Sequence, residues 1–264
     1  KVTGVRLENG EEILADRVVS NLDAKKTFLG LMDPKDAGEK VVKAAKRYKS
    51  RGSSGKLNIA LNGVPEFTAL PKGSELIKGD FHIVDNMEAY ERGYDEWKDG
   101  MWSTNPYVDL LIPTLTDPTM APPGKHYMTC FVQYCPARVK GEDWNDDLLK
   151  QFGDNVINSI AKYSPNFKDL IEHVEVRSGQ VIDNEIGLTE GNIFQGELSL
   201  NQLMFNRPFH GCAQYRGPVG GLYLSGSTTH PGGGVMGAPG ANSAREILMD
   251  MNISTTVPED EGDD

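Results

Sequence analysis

Residues 221 to 238, GLYLSGSTTHPGGGVMGA, hold the densest chemistry of the chain. They read as a buried strand, a glycine-rich turn and the start of a helix. Amide N–H groups at a helix start have no intrahelical partners and carry the positive end of its dipole, so such a turn stabilises an anion or an anionic ring. Leu222, Tyr223 and Leu224 make the strand, which the pattern predicts to be parallel. Ligands of parallel sheets sit beyond the carboxyl ends of their strands, where Gly226 and Ser227 fall. Gly233, Gly234 and Gly237 let a ligand come close to the backbone. His230 lies in the same turn, biased to an extended backbone by the proline after it. A hydrogen-bonding or structural part for it is expected ahead of proton transfer.

Gly232, Gly234 and Gly237 also spell a literal G-x-G-x-x-G. A dinucleotide fingerprint needs a second strand after its helix, with a ribose-gripping acid about 20 residues on. Here residues 254–258 and the charged run Glu259, Asp260, Glu261, Gly262, Asp263, Asp264 follow instead. A nicotinamide-binding reading is therefore set aside.

Taken as a whole, residues 221–248 resemble the C-terminal flavin-contacting segment of the phytoene desaturase-like FAD-dependent oxidoreductases, a family that includes the pyridine nucleotide-disulfide oxidoreductase domain-containing protein 2 group. Residues 4–7 through 15–21, and the piece GNIFQGELSL at 191–200, match as well. The resemblance implies an α/β fold of α+β character, the C-terminal part of a two-domain FAD/NAD(P)-binding flavoprotein. A mixed-sheet substrate domain (22–213) is inserted between two pieces of an FAD-binding lobe (1–21 and 214–253), with an acidic disordered tail at 254–264.

It further implies that Gly226, Ser227, His230, Gly233, Gly234, Val235, Met236 and Gly237 contact FAD. Amides near Val235 and Met236 would face the pyrimidine edge of the flavin and stabilise the charge that grows there on reduction. Many relatives carry an acid after the glycine at 226; Ser227 offers only a neutral hydroxyl, and a weaker contact is expected. No catalytic residue and no metal ligand is assigned.

The family's N-terminal glycine motif has no counterpart, and the chain opens at Lys1, so it reads as a C-terminal fragment whose partner is the missing N-terminal Rossmann half. The complete enzyme would pass a hydride between a small apolar substrate and the flavin, while the fragment alone is expected to bind FAD poorly and to be inactive. The alternative is a non-catalytic interaction module derived from such an enzyme. The implied compartment is intracellular, cytoplasmic in a bacterium and mitochondrial in a eukaryote. Homo-oligomer formation is left open.

Composition fits this frame. With 264 residues, 38% hydrophobic and 25% charged, the chain has ordinary globular content. A net charge of -11 argues against nucleic acid as a partner. No apolar run nears the ~20 residues that span a bilayer. Cys130, Cys135 and Cys212 form no C-x-x-C, which argues against a dithiol centre or zinc knuckle and for a reducing compartment. Cys130 reads as a small buried hydrophobe.

The elements that must position the turn are legible by periodicity. Asn9-Gly10 predicts a hairpin between the first two strands, continued by a strand at 18–21. A helix over 35–48 places Val41, Ala44, Ala45 and Tyr48 on one face. Leu57, Ile59 and Leu61 alternate as a half-buried strand. Strands at 81–84, 107–112, 127–134 and 171–176 follow, the first three in one sheet. A helix over 144–163 carries the stripe Leu149, Phe152, Val156, Ile160 and Tyr163 and should cover that sheet.

The apolar set Phe194, Leu198, Leu200, Leu203, Met204, Phe205 and Phe209 is expected to pack in the core, ahead of lining an apolar substrate site. Glu197, Arg207 and Arg216 are expected to form exposed salt bridges. His82, His126 and His173 are assigned to strands, His210 is given no role, and no two histidines show metal-ligand spacing.

Overall fold

The computed structural model describes residues 1–255. Of the expected tail, all but Ser254 and Thr255 lies outside the described residues. In chain order the elements are β1 (Gly4–Arg6), β2 (Glu12–Leu14), β3 (Val18–Ser20), α1 (Pro34–Ala37), α2 (Glu39–Arg47), β4 (Ser54–Leu61) and β5 (Phe81–Ile83). There follow α3 (Met87–Lys98), β6 (Tyr107–Leu111), β7 (His126–Gln133), α4 (Asp146–Ala161), α5 (Phe167–Leu170), β8 (Ile171–Arg177), α6 (Gly179–Ile186), β9 (Leu222–Leu224) and α7 (Ala238–Asp250). The fold is mixed α/β, as the sequence predicts.

Two compact units result: Lys1–Ser50 with Ile193–Asp264, and Arg51–Asn192. The division therefore falls at 50/51 and 192/193 rather than after 21 and 213. The reason is packing: Ala24, Phe28, Ala45 and Tyr48 share one buried cluster with Cys212, Leu222 and Leu224, so the early helices belong with the terminal segments.

In the Arg51–Asn192 unit, strands β5-β6-β7-β4-β8 form one antiparallel sheet. Alternation along β4 sends Leu57, Ile59 and Leu61 to a single face, where they meet Val108, Leu110, Met128, Cys130 and Val132. Phe152, Val156 and Ile160 of α4 join the same core. Two features start α4 at Asp146: Asn145 accepts the amide of Leu148 at 3.0 Å, and Asp146 and Asp147 face the positive end of the dipole. Gly153 lets the helix approach β8, since a Cβ there would lie 2.8 Å from Val176 Cγ2.

Two helices depart from the strand-and-turn reading of the centre. In α3, Asn86 caps the start by accepting the amide of Ala89, and Tyr90, Tyr94 and Trp97 pack around Tyr134. In α6, Ser178 accepts the amide of Val181. The helix expected over 35–48 is split, because Gly38 adopts φ +83° between α1 and α2.

In the terminal unit, β1 and β2 pair as the expected hairpin. β3 pairs with β9 in parallel, Val18 opposite Leu222 and Ser20 opposite Leu224. All three residues of β9 are buried. The three cysteines are free and buried, and burial pushes the thiols of Cys130 and Cys212 up to about 12 and about 11. Among the described residues no helix is long and apolar enough to cross a membrane.

Candidate functional site

The parallel pair aims the chain into the turn. Ser225 donates to the carbonyl of Ser20 at 2.9 Å, which carries β9 one residue beyond its strand. Gly226 is then pressed against other backbone: a Cβ there would lie 2.2 Å from the carbonyl oxygen of Asn21 and 2.5 Å from Gln195 Oε1. Its glycine is required by this close approach. Gln195 in turn accepts the amide of Thr228 at 3.1 Å and donates to Asn21 O at 2.9 Å. The amide and hydroxyl of Thr229 close a tight turn back onto Gly226 O.

His230 is exposed, and its ring makes no hydrogen bond among the described residues. Its backbone carbonyl is what the fold uses, accepting the Tyr215 hydroxyl at 2.8 Å. The chain next runs through buried Gly232 and half-buried Gly233 into four exposed residues, Gly234, Val235, Met236 and Gly237. Val235 takes φ +57° and is fully exposed, a conformation unusual for a β-branched residue. Such outliers gather at ligand-contacting loops.

Helix α7 begins with Gly237 as its N-cap, with no side-chain cap, and Pro239 in its first turn brings no N–H of its own. Among the described residues, the N–H groups of Gly233, Gly234, Val235, Met236, Gly237, Ala238 and Gly240 donate to no protein acceptor. The turn is thus an open arc of backbone donors at the positive end of a 13-residue helix. Phe194 and Ser227 wall it, for a Cβ on Gly233 would meet Phe194 Cδ1 at 2.7 Å and Ser227 Oγ at 3.4 Å. Leu198 stands beside Gly232 in the same way, at 3.7 Å.

Arg207 corrects the sequence expectation most sharply. It is no exposed salt bridge: it is 0% exposed, and its guanidinium donates only to backbone carbonyls. Nε and Nη2 reach Ser227 O at 2.9 and 2.7 Å, Nη2 also reaches Phe194 O at 2.5 Å and Gly196 O at 3.4 Å, and Nη1 reaches Gln202 O at 3.2 Å and Glu197 O at 3.5 Å. No side-chain carboxylate pairs with it among the described residues. Burial pulls its pKa down from the ordinary arginine value, yet a guanidinium remains charged at neutral pH. One buried cation therefore ties the 194–202 loop to the start of the glycine turn. Arg216 behaves as expected, gripping Asp250 at 2.9 Å through both Nε and Nη2 and also pairing with Glu246.

The apolar set needs a second correction. Only Phe209 enters the core, its ring 5.6 Å from that of Phe28 and 6.3 Å from that of Tyr48. Leu200 is 90% exposed and Phe205 78%, with Leu198 and Met204 also exposed. Short 3₁₀ turns at Leu200–Gln202 and Met204–Asn206 cause this, since neither is long enough to bury one face.

Of the eight residues singled out in the sequence, Ser227, Gly233, Gly234, Val235, Met236 and Gly237 thus border one open turn, Gly226 lies packed beneath it, and the His230 ring points to solvent. Sequence reasoning gave Phe194, Gln195 and Arg207 no place at this turn, naming the first for the core and the last for an exposed ion pair. The match at 191–200 was the signal that could have found the first two.

No protein-family model matches the chain. The mouse pyridine nucleotide-disulfide oxidoreductase domain-containing protein 2 is 34% identical over 259 residues, which cover 95% of this chain and 44% of that protein. The phytoene desaturase of Phycomyces blakesleeanus is 29% identical over 240 residues, 89% of this chain and 38% of that one. A solved cyclohexylamine oxidase from Brevibacterium oxydans superposes with a TM-score of 0.47 at 11% identity, covering 92% of this chain and 44% of its own. The chain spans less than half the length of these relatives. By sequence it is a homologue of the phytoene desaturase-like oxidoreductases, matched over that part of them.

Proposed function

We propose that this chain is the C-terminal part of an FAD-dependent oxidoreductase that passes a hydride between an apolar substrate and the flavin. The observation that carries this reading is the open arc of backbone donors before α7, in a chain whose relatives are oxidoreductases. What the residues present offer a flavin is the free N–H groups of the exposed turn: the bare face of Gly233 is taken by the Phe194 ring and that of Gly234 by Met236 Cε, so a flat ring would lie against those side chains and the turn's amides. FAD, when bound, supplies the hydride chemistry.

The chain supplies the surroundings. N–H groups near Val235 and Met236, just ahead of α7, would stabilise negative charge on a bound ring. Ser227 would add a neutral hydroxyl at the strand end, and Phe194 an apolar flank. Arg207 fixes both of these residues by their carbonyls. Exposed Leu200, Met204 and Phe205 would border an apolar substrate. The β3–β9 pair supports a further partner, because parallel sheets are ordinarily larger than two strands and covered on both faces. A polypeptide corresponding to the rest of the relatives would extend it and bring the adenosine-binding contacts.

The test compares the chain with and without the coding sequence upstream of it. Alone, mixed with FAD and desalted, it should be colourless; joined to that sequence it should retain a flavin absorbance that bleaches on reduction. A longer protein that folds but holds no flavin would end the reading.

A further inference from the structure

Within the Arg51–Asn192 unit, the sheet register sets His82 of β5 directly opposite Asp109 of β6. Both side chains stand on the face opposite the core, since their neighbours Ile83, Val108 and Leu110 point inward. Asp80 precedes His82 by two residues and so reaches the same side. His82 Nε2 lies 3.4 Å from Asp80 Oδ2 and 3.8 Å from Asp109 Oδ2. One ligand atom from each of the three residues lies within 4.8 Å of the others. Ligands bound tetrahedrally at zinc distances stand about 3.4 Å from one another, so these atoms need move little to share an ion.

Charge points the same way. Asp80 and Asp109 bring two carboxylates together, and among the described residues no lysine or arginine pairs with either. The imidazole is held at the spot by the Tyr107 ring, 5.4 Å from its own.

The geometry points to a divalent-cation site formed by Asp80, His82 and Asp109, with Zn2+ as its preferred ion. Carboxylates alone would suit Ca2+ or Mg2+, whereas the imidazole nitrogen shifts preference toward zinc. Three protein ligands leave a coordination position for water or an incoming donor. Sequence spacing could not reveal the set, because Asp80 and His82 lie just before and within β5 while Asp109 comes from β6, after a long connection. None of these residues belongs to the glycine turn, so the site stands apart from the flavin reading.

Zn2+ alone, titrated calorimetrically into chelator-stripped and buffer-exchanged chain, should saturate one strong site. His82→Ala and Asp109→Asn should each weaken it at least about tenfold, the lower end of what even outer-shell changes cost a metal site. Circular dichroism of the metal-free variants should match that of the parent. Should either fail to fold, Asp80→Asn, at an exposed position, reads the same loss. Absence of saturable zinc binding, or parental affinity in the folded variants, would overturn the assignment.

Discussion

The Arg51–Asn192 unit and the loops beside the glycine turn are each held by different physics. In Arg51–Asn192, side chains from four strands and α4 converge on one continuous apolar core. In the terminal unit the strands are three residues long, and the loops beside the glycine turn hang on Arg207, which spreads its bonds over five carbonyls. The difference separates shape from adjustability. A hydrophobic core tolerates little change in volume, while a hub of hydrogen bonds fixes loops that have no core of their own.

The contrast can be broken first at Phe152, fully buried and within ring contact of Trp102 and Trp144. Phe152→Ala should cost about 3–5 kcal/mol in urea unfolding, the usual range for such a cavity. A cost under about 1 kcal/mol would mean that this core is not the stable element.

Arg207→Met tests the other mode. It leaves several buried carbonyls without donors, each worth about 1–3 kcal/mol at most, so a net loss of about 3 kcal/mol is expected after local relaxation. Protease cleavage should rise within 193–210, with the Arg51–Asn192 unit left intact. Arg207→Lys should recover only part, because an ammonium cannot span that fan of acceptors.

The smallest effect belongs to the surface. Arg216 and Tyr223 hold the Asp250 carboxyl at about 2, below the ordinary ~3.9. A carboxyl depressed in the folded state adds stability that is present above the ordinary value and is lost as pH falls from about 4 through about 2. Thermal melts between pH 5 and 2 should therefore fall less steeply for Asp250→Asn than for the parent. Parallel slopes would show that the ion pair contributes nothing.

Local patterns made much of this legible before any coordinates. The alternation of Leu57, Ile59 and Leu61, the stripe on α4 and the Asn9-Gly10 hairpin all depend on neighbours in sequence. Helix α3 escaped because Tyr90, Tyr94 and Trp97 favour strands and Gly93 weakens helices, and contact with Tyr134 outweighs both tendencies. The glycine turn was visible by composition. Its clasp was not, because Arg207 bonds to carbonyls, which every residue possesses and no residue type announces. The exposed run from Leu198 to Phe205 was misread for a related cause: apolar content says what could be buried, while only chain path decides what is.

The sealed sulfhydryls make this chain a convenient chassis for spectroscopic labels. Cys130, Cys135 and Cys212 all lie inside, with their protons held tightly by burial. A maleimide dye would find no native thiolate to attack, so one engineered cysteine at Val235 or Phe205 would take the tag cleanly and report from that surface alone.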